Sequence, residues 1–406
     1  MKSRLTFGCV ALIGLAFCAS PLAATQLFVG SYSSPKRFGS KIHDYDLATA
    51  NLNNTFNGGG PIWGSPEGGL DRPRAGVIGP DGNLYVTSIA TSEILRYVPA
   101  TGDFIDIFAD SGDGLTGPNG MALGPDGNFY VANSVMGGEL RKIDGTTGED
   151  LGVFATSIDP KREFSDVVFG PDVGAPSANG FDLYISTGAA GSNPGPGRGV
   201  FRYNGSTGDE ESKIIGSTTQ PGPLLVGDDY LYIGDQRGGG NPRLHRYEWS
   251  SGTLSVLVDP TEGDTAGLSN VTGLAFDANG DLLASSFNAT ADFVGDKVAR
   301  MNINTGAYID DFAIVGNPTF LTPFTPTGTT GIPGDFNANG IVDAADYTIW
   351  RDGNSSDPTT VGYALWVAHF GQSTASGSGA DHIPEPTTLL LTLLALTAVP
   401  LRVWHG

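Results

Sequence analysis

Cysteine occurs only at Cys9 and Cys18, both inside an apolar leader. The rest of the chain therefore has no disulfide, no thiol nucleophile and no cysteine ligand for zinc. Basic residues are also scarce. Against 43 Asp+Glu there are 22 Lys+Arg, a net charge of −21. That balance repels phosphate backbones and anionic bilayers, so nucleic acid is excluded as a partner. Histidine appears five times, at His43, His245, His369, His382 and His405, and no HExxH pair or GxSxG elbow exists. "GPGRG" (195–199) lacks the strand–loop–helix context of a phosphate cradle. Charged residues make up only 16% of the 406 positions, while Gly 60 and Pro 26 are abundant. This disfavours long helices and favours many turns between short strands.

Both ends carry processing signals. In "MKSRLTFGCVALIGLAFCASPLAATQ", Lys2 and Arg4 precede an apolar run from Phe7 to Cys18 and small residues ending at Ala23 and Ala24. The pattern predicts a secretory signal peptide over 1–24, too short for a membrane span. Attachment of lipid at Cys18 is disfavoured by the bulky Phe17. At the other end, Pro384, Glu385 and Pro386 precede an apolar run from Leu389 to Val399 and then Arg402. This tail, 384–406, resembles the PEP-CTERM sorting signal, with its basic part reduced to Arg402 and nearby His405. The resemblance implies a sorting protease that removes the tail. It also implies an exported protein, transiently membrane-anchored and delivered to the cell surface or extracellular matrix.

Between the ends the sequence repeats. "GPDGNLYV" (79–86) returns as "GPDGNFYV" (124–131), with weaker copies at 180–186, 227–234 and 277–285. Each is followed by a second shared element, such as "ILRYVPATGDF" (94–104) and "ELRKIDGTTGED" (139–150). Asp-Gly between apolar strands signals a hairpin, and each unit parses into four short strands. Units of this kind repeated radially make an all-β propeller. Five units occupy 69–314, and "NPTFLTPF" (317–324) reads as a first strand with nothing after it. Segment 25–53 holds later strands without a first one, so the two ends together predict a sixth blade. A seventh blade requires strands hidden in 51–68. The units resemble NHL-repeat propellers and, more distantly, gluconolactonase-like and streptogramin-lyase-like ones. The expected propeller spans 25–326.

Loops entering first strands and leaving second strands gather around a propeller's channel. The residues there are Arg74, Asn119, Asn133, Asp166, Asp235, Arg237, Asn270 and Asn288. The gluconolactonase resemblance implies a divalent metal in the channel, held by a glutamate, asparagines and an aspartate. Asn119 in "PNGMALGPDG" and Asp235 in "LYIGD" match such positions, whereas Glu67 in "SPEGG" is no convincing match. Arg74 and Arg237 favour an anionic ligand instead. His43 and His245 fall in third strands, away from the place a general base would occupy. A competing expectation is that these polar residues only cap strand ends and turn amides. Trp63 and Trp249 are candidate exposed platforms for a glycan.

The segment "GDFNANGIVDAAD" (334–346) has the stride of a calcium loop. Asp335, Asn337, Asn339, Asp343 and Asp346 supply side-chain or water-mediated oxygens, Ile341 its carbonyl, and Gly340 the sharp turn. Short amphipathic helices are predicted at 344–352 and 361–371. Together, 334–373 resembles a type I dockerin whose second loop is missing, since "NSSDPTT" (354–360) lacks alternating ligands. The resemblance implies a calcium-clamped α-helical module and a cohesin-like partner, although Ala344 and Ala345 offer little at the contact positions. A Gly/Ser-rich linker (374–383) follows. The expected whole is a monomeric, exported, calcium-stabilised binding or scaffold protein that recognises an extracellular protein or glycan. The alternative is a metal-dependent lactonase or lyase.

Overall fold

A computed structural model describes residues 25–32, 40–57, 69–173, 180–189, 197–216, 220–235, 243–259, 267–287 and 296–324, with isolated positions 342, 344 and 347. The chain divides into two compact units, Met1–Thr325 and Pro326–Gly406. The six expected calcium ligands, the two expected terminal signals, Trp63, Glu67, Arg237 and Asn288 lie outside the described residues.

All described strands belong to the first unit. Three come first: β1 (Gln26–Ser31), β2 (Lys41–Asp46) and β3 (Leu52–Asn57). Blade 1 is β4 (Pro73–Ile78), β5 (Leu84–Ser88), β6 (Glu93–Tyr97) and β7 (Phe104–Ala109). Blade 2 is β8 (Pro118–Leu123), β9 (Phe129–Asn133), β10 (Glu139–Ile143) and β11 (Asp150–Thr156). Blade 3 is β12 (Arg162–Pro171), β13 (Phe181–Ala189), β14 (Gly199–Asn204) and β15 (Glu210–Ile215). Blade 4 is β16 (Pro221–Val226), β17 (Tyr230–Asp235), β18 (Leu244–Glu248) and β19 (Leu254–Val258). Blade 5 is β20 (Asn270–Phe276), β21 (Leu282–Phe287), β22 (Lys297–Met301) and β23 (Tyr308–Ala313). The last strand, β24 (Pro318–Phe324), pairs antiparallel with β1, giving a sheet of order β24-β1-β2-β3.

The result is a six-bladed propeller of four-stranded antiparallel sheets, closed by both ends of the repeat array. Residues 52–57 form the outer strand of this closing blade 6, and the described residues contain no seventh sheet. Inner strands β4, β8, β12, β16, β20 and β24 touch in ring order around the axis. At the closure the Phe320 ring fills the space that side chains at Gly30 and Gly76 would need. Only glycine lets β1 and β4 approach that ring so closely.

Repeated turn chemistry explains the repeated blades. Gly82 and Gly127 sit at φ 77° in the Asp-Gly hairpins, a conformation glycine adopts without steric cost. The preceding carboxylates do more than turn the chain. Asp81 accepts from the Tyr85 hydroxyl (2.9 Å) and pairs with Arg96 (3.2 Å). Asp126 does the same with Tyr130 (3.1 Å) and Lys142 (2.7 Å). Each Asp therefore ties the hairpin to the second and third strands. The tyrosine rings pack across blade boundaries, Tyr85 on Phe129 at 4.6 Å and Tyr130 on Phe169 at 4.9 Å. Trp249 belongs to this layer rather than to an exposed platform. It stacks near Tyr184 (5.1 Å) and donates its indole N–H to the Gly227 carbonyl.

The "TG" turns join third to fourth strands and lock neighbouring blades. Asp144 Oδ1 caps the amides of Thr146 and Thr147, as Asn302 Oδ1 caps those of Asn304 and Thr305. Gly148, at φ 80°, rests against the Phe108 carbonyl of blade 1, and a Cβ there would collide with it. Gly127 has a similar φ but open space around it. Gly127→Ala should therefore cost about 1–2 kcal/mol, the left-handed penalty alone. Gly148→Ala should cost about 3 kcal/mol or more, because inter-blade overpacking adds to that penalty. Urea unfolding of the full-length variants measures the difference; equal losses would show that the turn does not touch its neighbour.

Candidate functional site

The six inner strands share one irregularity. Pairing with the second strand slips between Pro73 and Gly76, Pro118 and Met121, Phe164 and Asp166, Pro221 and Leu224, and Val271 and Gly273. In blade 6 the slip lies opposite Gly30 and Ser31, between Pro318 and Phe320. A bulge re-aims side chains and terminates regular pairing. The residues it releases are Arg74, Asn119, Ser165, Gly222, Thr272 and Thr319, and all six line an axial cavity of about 200 Å³. Asp166, beside Ser165, lines it as well.

Some expected site residues are consumed by structure. Asn133 is fully buried. It accepts from the Thr116 amide (3.0 Å) and donates to the Gly114 carbonyl (3.0 Å) and to Glu139 (2.8 Å). Asp235 accepts from the Gln220 amide at 3.1 Å. Ser88 and Ser286 accept from the equivalent amides of Asp71 and Ser269. Residues at the ends of second strands thus clamp the loop that enters the first strand, and neither Asn133 nor Asp235 lines the cavity. Asn270 donates to the Phe287 carbonyl and also stands apart from it. Here the capping expectation describes the geometry. His43 and His245 lie in β2 and β18, away from the cavity. Burial pushes His43 down to about 4, between the Ser31 and Thr55 hydroxyls.

Asp166 joins two blades. Its Oδ2 accepts from the Leu224 amide of blade 4 (2.9 Å), and its Oδ1 from the adjacent Val167 amide (2.9 Å). Gly120 permits the fit, since a Cβ there would strike the Asp166 side chain. Protein atoms surround the carboxyl, although it keeps some surface toward the cavity. Burial raises its pKa to about 7 against the opposing pull of the two amides.

Arg74 is the other charged group in the cavity wall. Burial depresses its pKa, but a guanidinium remains protonated. Its Nε has neither solvent contact nor a hydrogen-bond partner. Among the described residues no group of three or more His, Cys, Asp or Glu side chains gathers for a metal. Both Asp166 oxygens are engaged by backbone donors, and a guanidinium shares the space. Among the described residues this guanidinium and amide-bound carboxyl do not make the divalent site that the gluconolactonase resemblance implies.

Thr319, Thr272 and Ser165 escaped the sequence reading. A usable signal existed for Thr319: Pro73, Pro118, Pro221 and Pro318 each open an inner strand and the released residue follows directly, whereas β12 and β20 open on Arg162 and Asn270 and give Ser165 and Thr272 no such mark.

Neither a family model nor a curated protein matches the sequence. Solved structures do match. The chain is similar to a protein of unknown function from Bacteroides caccae, at 14% identity and TM-score 0.52, covering 74% of this chain and 99% of that one. That likeness is one of fold. A putative 6-phosphogluconolactonase from Bacteroides uniformis matches at 13% identity and TM-score 0.48, over 74% of this chain and 99% of its own. A gluconolactonase from Xanthomonas campestris matches at 12% identity and TM-score 0.46, over 72% and 87%.

The raised pKa of Asp166 has a signed consequence. Between its ordinary value near 4 and about 7 the native state holds a proton that the unfolded chain releases, so this residue's contribution to stability falls as pH rises through that window. The urea midpoint of Asp166→Asn relative to wild type should therefore improve from pH 4 to pH 7.5. A constant difference would mean that the carboxyl titrates normally.

Proposed function

We propose that the protein is an exported binding module that presents the channel mouth of its propeller to a ligand at the cell surface or in the matrix. One observation supports this most: the polar groups a hydrolase would need are committed elsewhere. Asp166 spends both oxygens on backbone amides, and Asn133 and Asp235 hold loops to strands. Beside the amide-bound Asp166 carboxyl, what faces the cavity is a guanidinium, an amide and hydroxyls, a set suited to recognition. The leader and the PEP-CTERM-like tail support export. The 334–346 loop supports one calcium ion, clamping a dockerin-like module whose cohesin-like partner belongs to the same proposal.

The alternative, a metal-dependent lactonase using Asn119, differs in a measurable way. Calorimetric titration of the full chain with calcium should give one site, lost in the double variant Asp335→Ala, Asp346→Ala. A panel of sugar lactones should show no turnover above the uncatalysed rate. A divalent site that survives in the double variant and disappears with Asn119→Ala, or lactone hydrolysis lost with Asn119→Ala, would replace the binding role by the hydrolase.

A further inference from the structure

We propose that one arc of the channel wall, formed by blades 6, 1 and 2, is a binding site for a small monoanionic carboxylate, gripped by Arg74 with the Thr319 hydroxyl and the Asn119 amide. The proposal rests on the channel mouth being the ligand-binding surface and names the class of ligand.

The six released residues fall into two kinds. In blades 4 and 5 the groups are absent or satisfied. Gly222 has no side chain, and its carbonyl receives the Ser186 hydroxyl (2.7 Å). Thr272 shares a hydrogen bond with Ser285 (3.0 Å) and donates to the Pro318 carbonyl (2.7 Å). In blade 3 the Asp166 carboxyl beside Ser165 is bonded across the blade boundary, while the Ser165 hydroxyl makes no hydrogen bond among the described residues.

Consecutive blades 6, 1 and 2 carry donors with no intramolecular bond. The Thr319 hydroxyl is buried and has no hydrogen-bond partner. The Arg74 Nε is in the same state, and no ion pair engages the guanidinium among the described residues. Asn119 is tied only through its carbonyl, which receives the Thr87 hydroxyl (3.0 Å). All three line the same cavity.

An arginine held in this way is costly unless a negative charge meets it. Among the described residues the one carboxylate in the cavity wall does not do so, because Asp166 forms no ion pair with it and both its oxygens accept from backbone amides. The neighbouring Arg72 guanidinium adds like-charge repulsion. A planar guanidinium with flanking O–H and N–H donors matches a carboxylate, which accepts at both oxygens. Asp166 in the same cavity disfavours a dianion such as phosphate. At about 200 Å³ the space is below the roughly 300–1,000 Å³ of drug-sized pockets, so the ligand is a small acid.

Calorimetric titration and thermal unfolding of the full chain test this with lactate, glucuronate, glucose and inorganic phosphate as probes. Lactate and glucuronate should bind and raise the melting temperature, phosphate should bind more weakly, and glucose should not bind. Arg74→Met should weaken carboxylate binding about tenfold or more, since it removes a charged hydrogen-bonding partner. Arg74→Lys and Thr319→Val should weaken it less, and Lys213→Met, exposed on the outer strand β15, should leave it unchanged. Without ligand, Arg74→Met should melt higher than wild type, because a half-buried guanidinium with no ion pair among the described residues is gone. Absence of carboxylate binding, equal binding of glucose and glucuronate, equal affinity in Arg74→Met, or a lower melting temperature for that variant would each overturn the site. Lactone turnover abolished by Arg74→Met would end the binding role yet leave the anion site standing, whereas failed carboxylate binding ends the anion site alone.

Discussion

Ring closure is the constraint from which the other features follow. Pairing β24 with β1 forces six strands onto a common axis, where their backbones crowd and side chains have little room. Glycines at Gly30, Gly76, Gly120 and Gly273 sit where a Cβ would strike an adjacent strand. Each inner strand also breaks its ladder near its start, and a broken ladder leaves backbone groups that must be bonded in a dry interior. The second strands answer that need with short buried side chains, Thr87 and Ser88, Asn133, Ser186 and Thr187, Asp235, and Ser285 and Ser286. Hydroxyls reach the next blade: from second strands Thr87 donates to the Asn119 carbonyl and Ser186 to Gly222, and from inner strands Thr272 donates to Pro318 and Thr322 to Gly76. Hydrogen bonds thus continue around the axis after the regular ladders have stopped.

Farther out, the same closure is served by apolar packing. Blade boundaries are filled by aromatic rings, and at several of them the "TG" turn presses a glycine on a neighbouring carbonyl, as Gly208 does at Phe154 and Gly306 at Leu257. Ala50 stands at the turn of blade 6 with φ 58°. A non-glycine residue carries backbone strain there, and Ala50 packs on the core cluster of Leu47 and Phe312. The closing blade keeps the geometry of the others without their turn residue.

The architecture was legible because local chemistry repeats with it. "GPDGNLYV" encodes a hairpin, a second strand and a tyrosine that both spans a blade boundary and bonds its own aspartate. Closure was legible because "NPTFLTPF" is a strand with no successor. The site was legible only in part. Arg74, Asn119 and Asp166 stand at first-strand entries, where a bulge turns residues toward the axis. Asn133 and Asp235 also stand at strand ends, but second-strand ends face the entering loop, and their side chains bond its amides. A sequence shows the polar residue at a strand end without showing which orphaned amide claims it. Trp249 misled for a related reason: its sidedness depends on the neighbouring blade, which no local pattern reports.

Polar satisfaction around the axis separates fold from function. A propeller needs its broken ladders repaired, and each repair uses a side chain that then has nothing left for a ligand. Groups free of that duty are therefore the informative ones. In this channel they are not scattered. Thr319, Arg74 and Asn119 occupy equivalent bulge positions on three successive blades, all are hydrogen-bond donors, and the middle one carries a permanent charge. Structure alone gives no return for burying a guanidinium without a counter-charge. The equivalent bulges of blades 4 and 5 carry the uncharged Gly222 and Thr272, so the bulge itself does not require a charge. Its place at the axis follows physically if the missing negative charge arrives from outside.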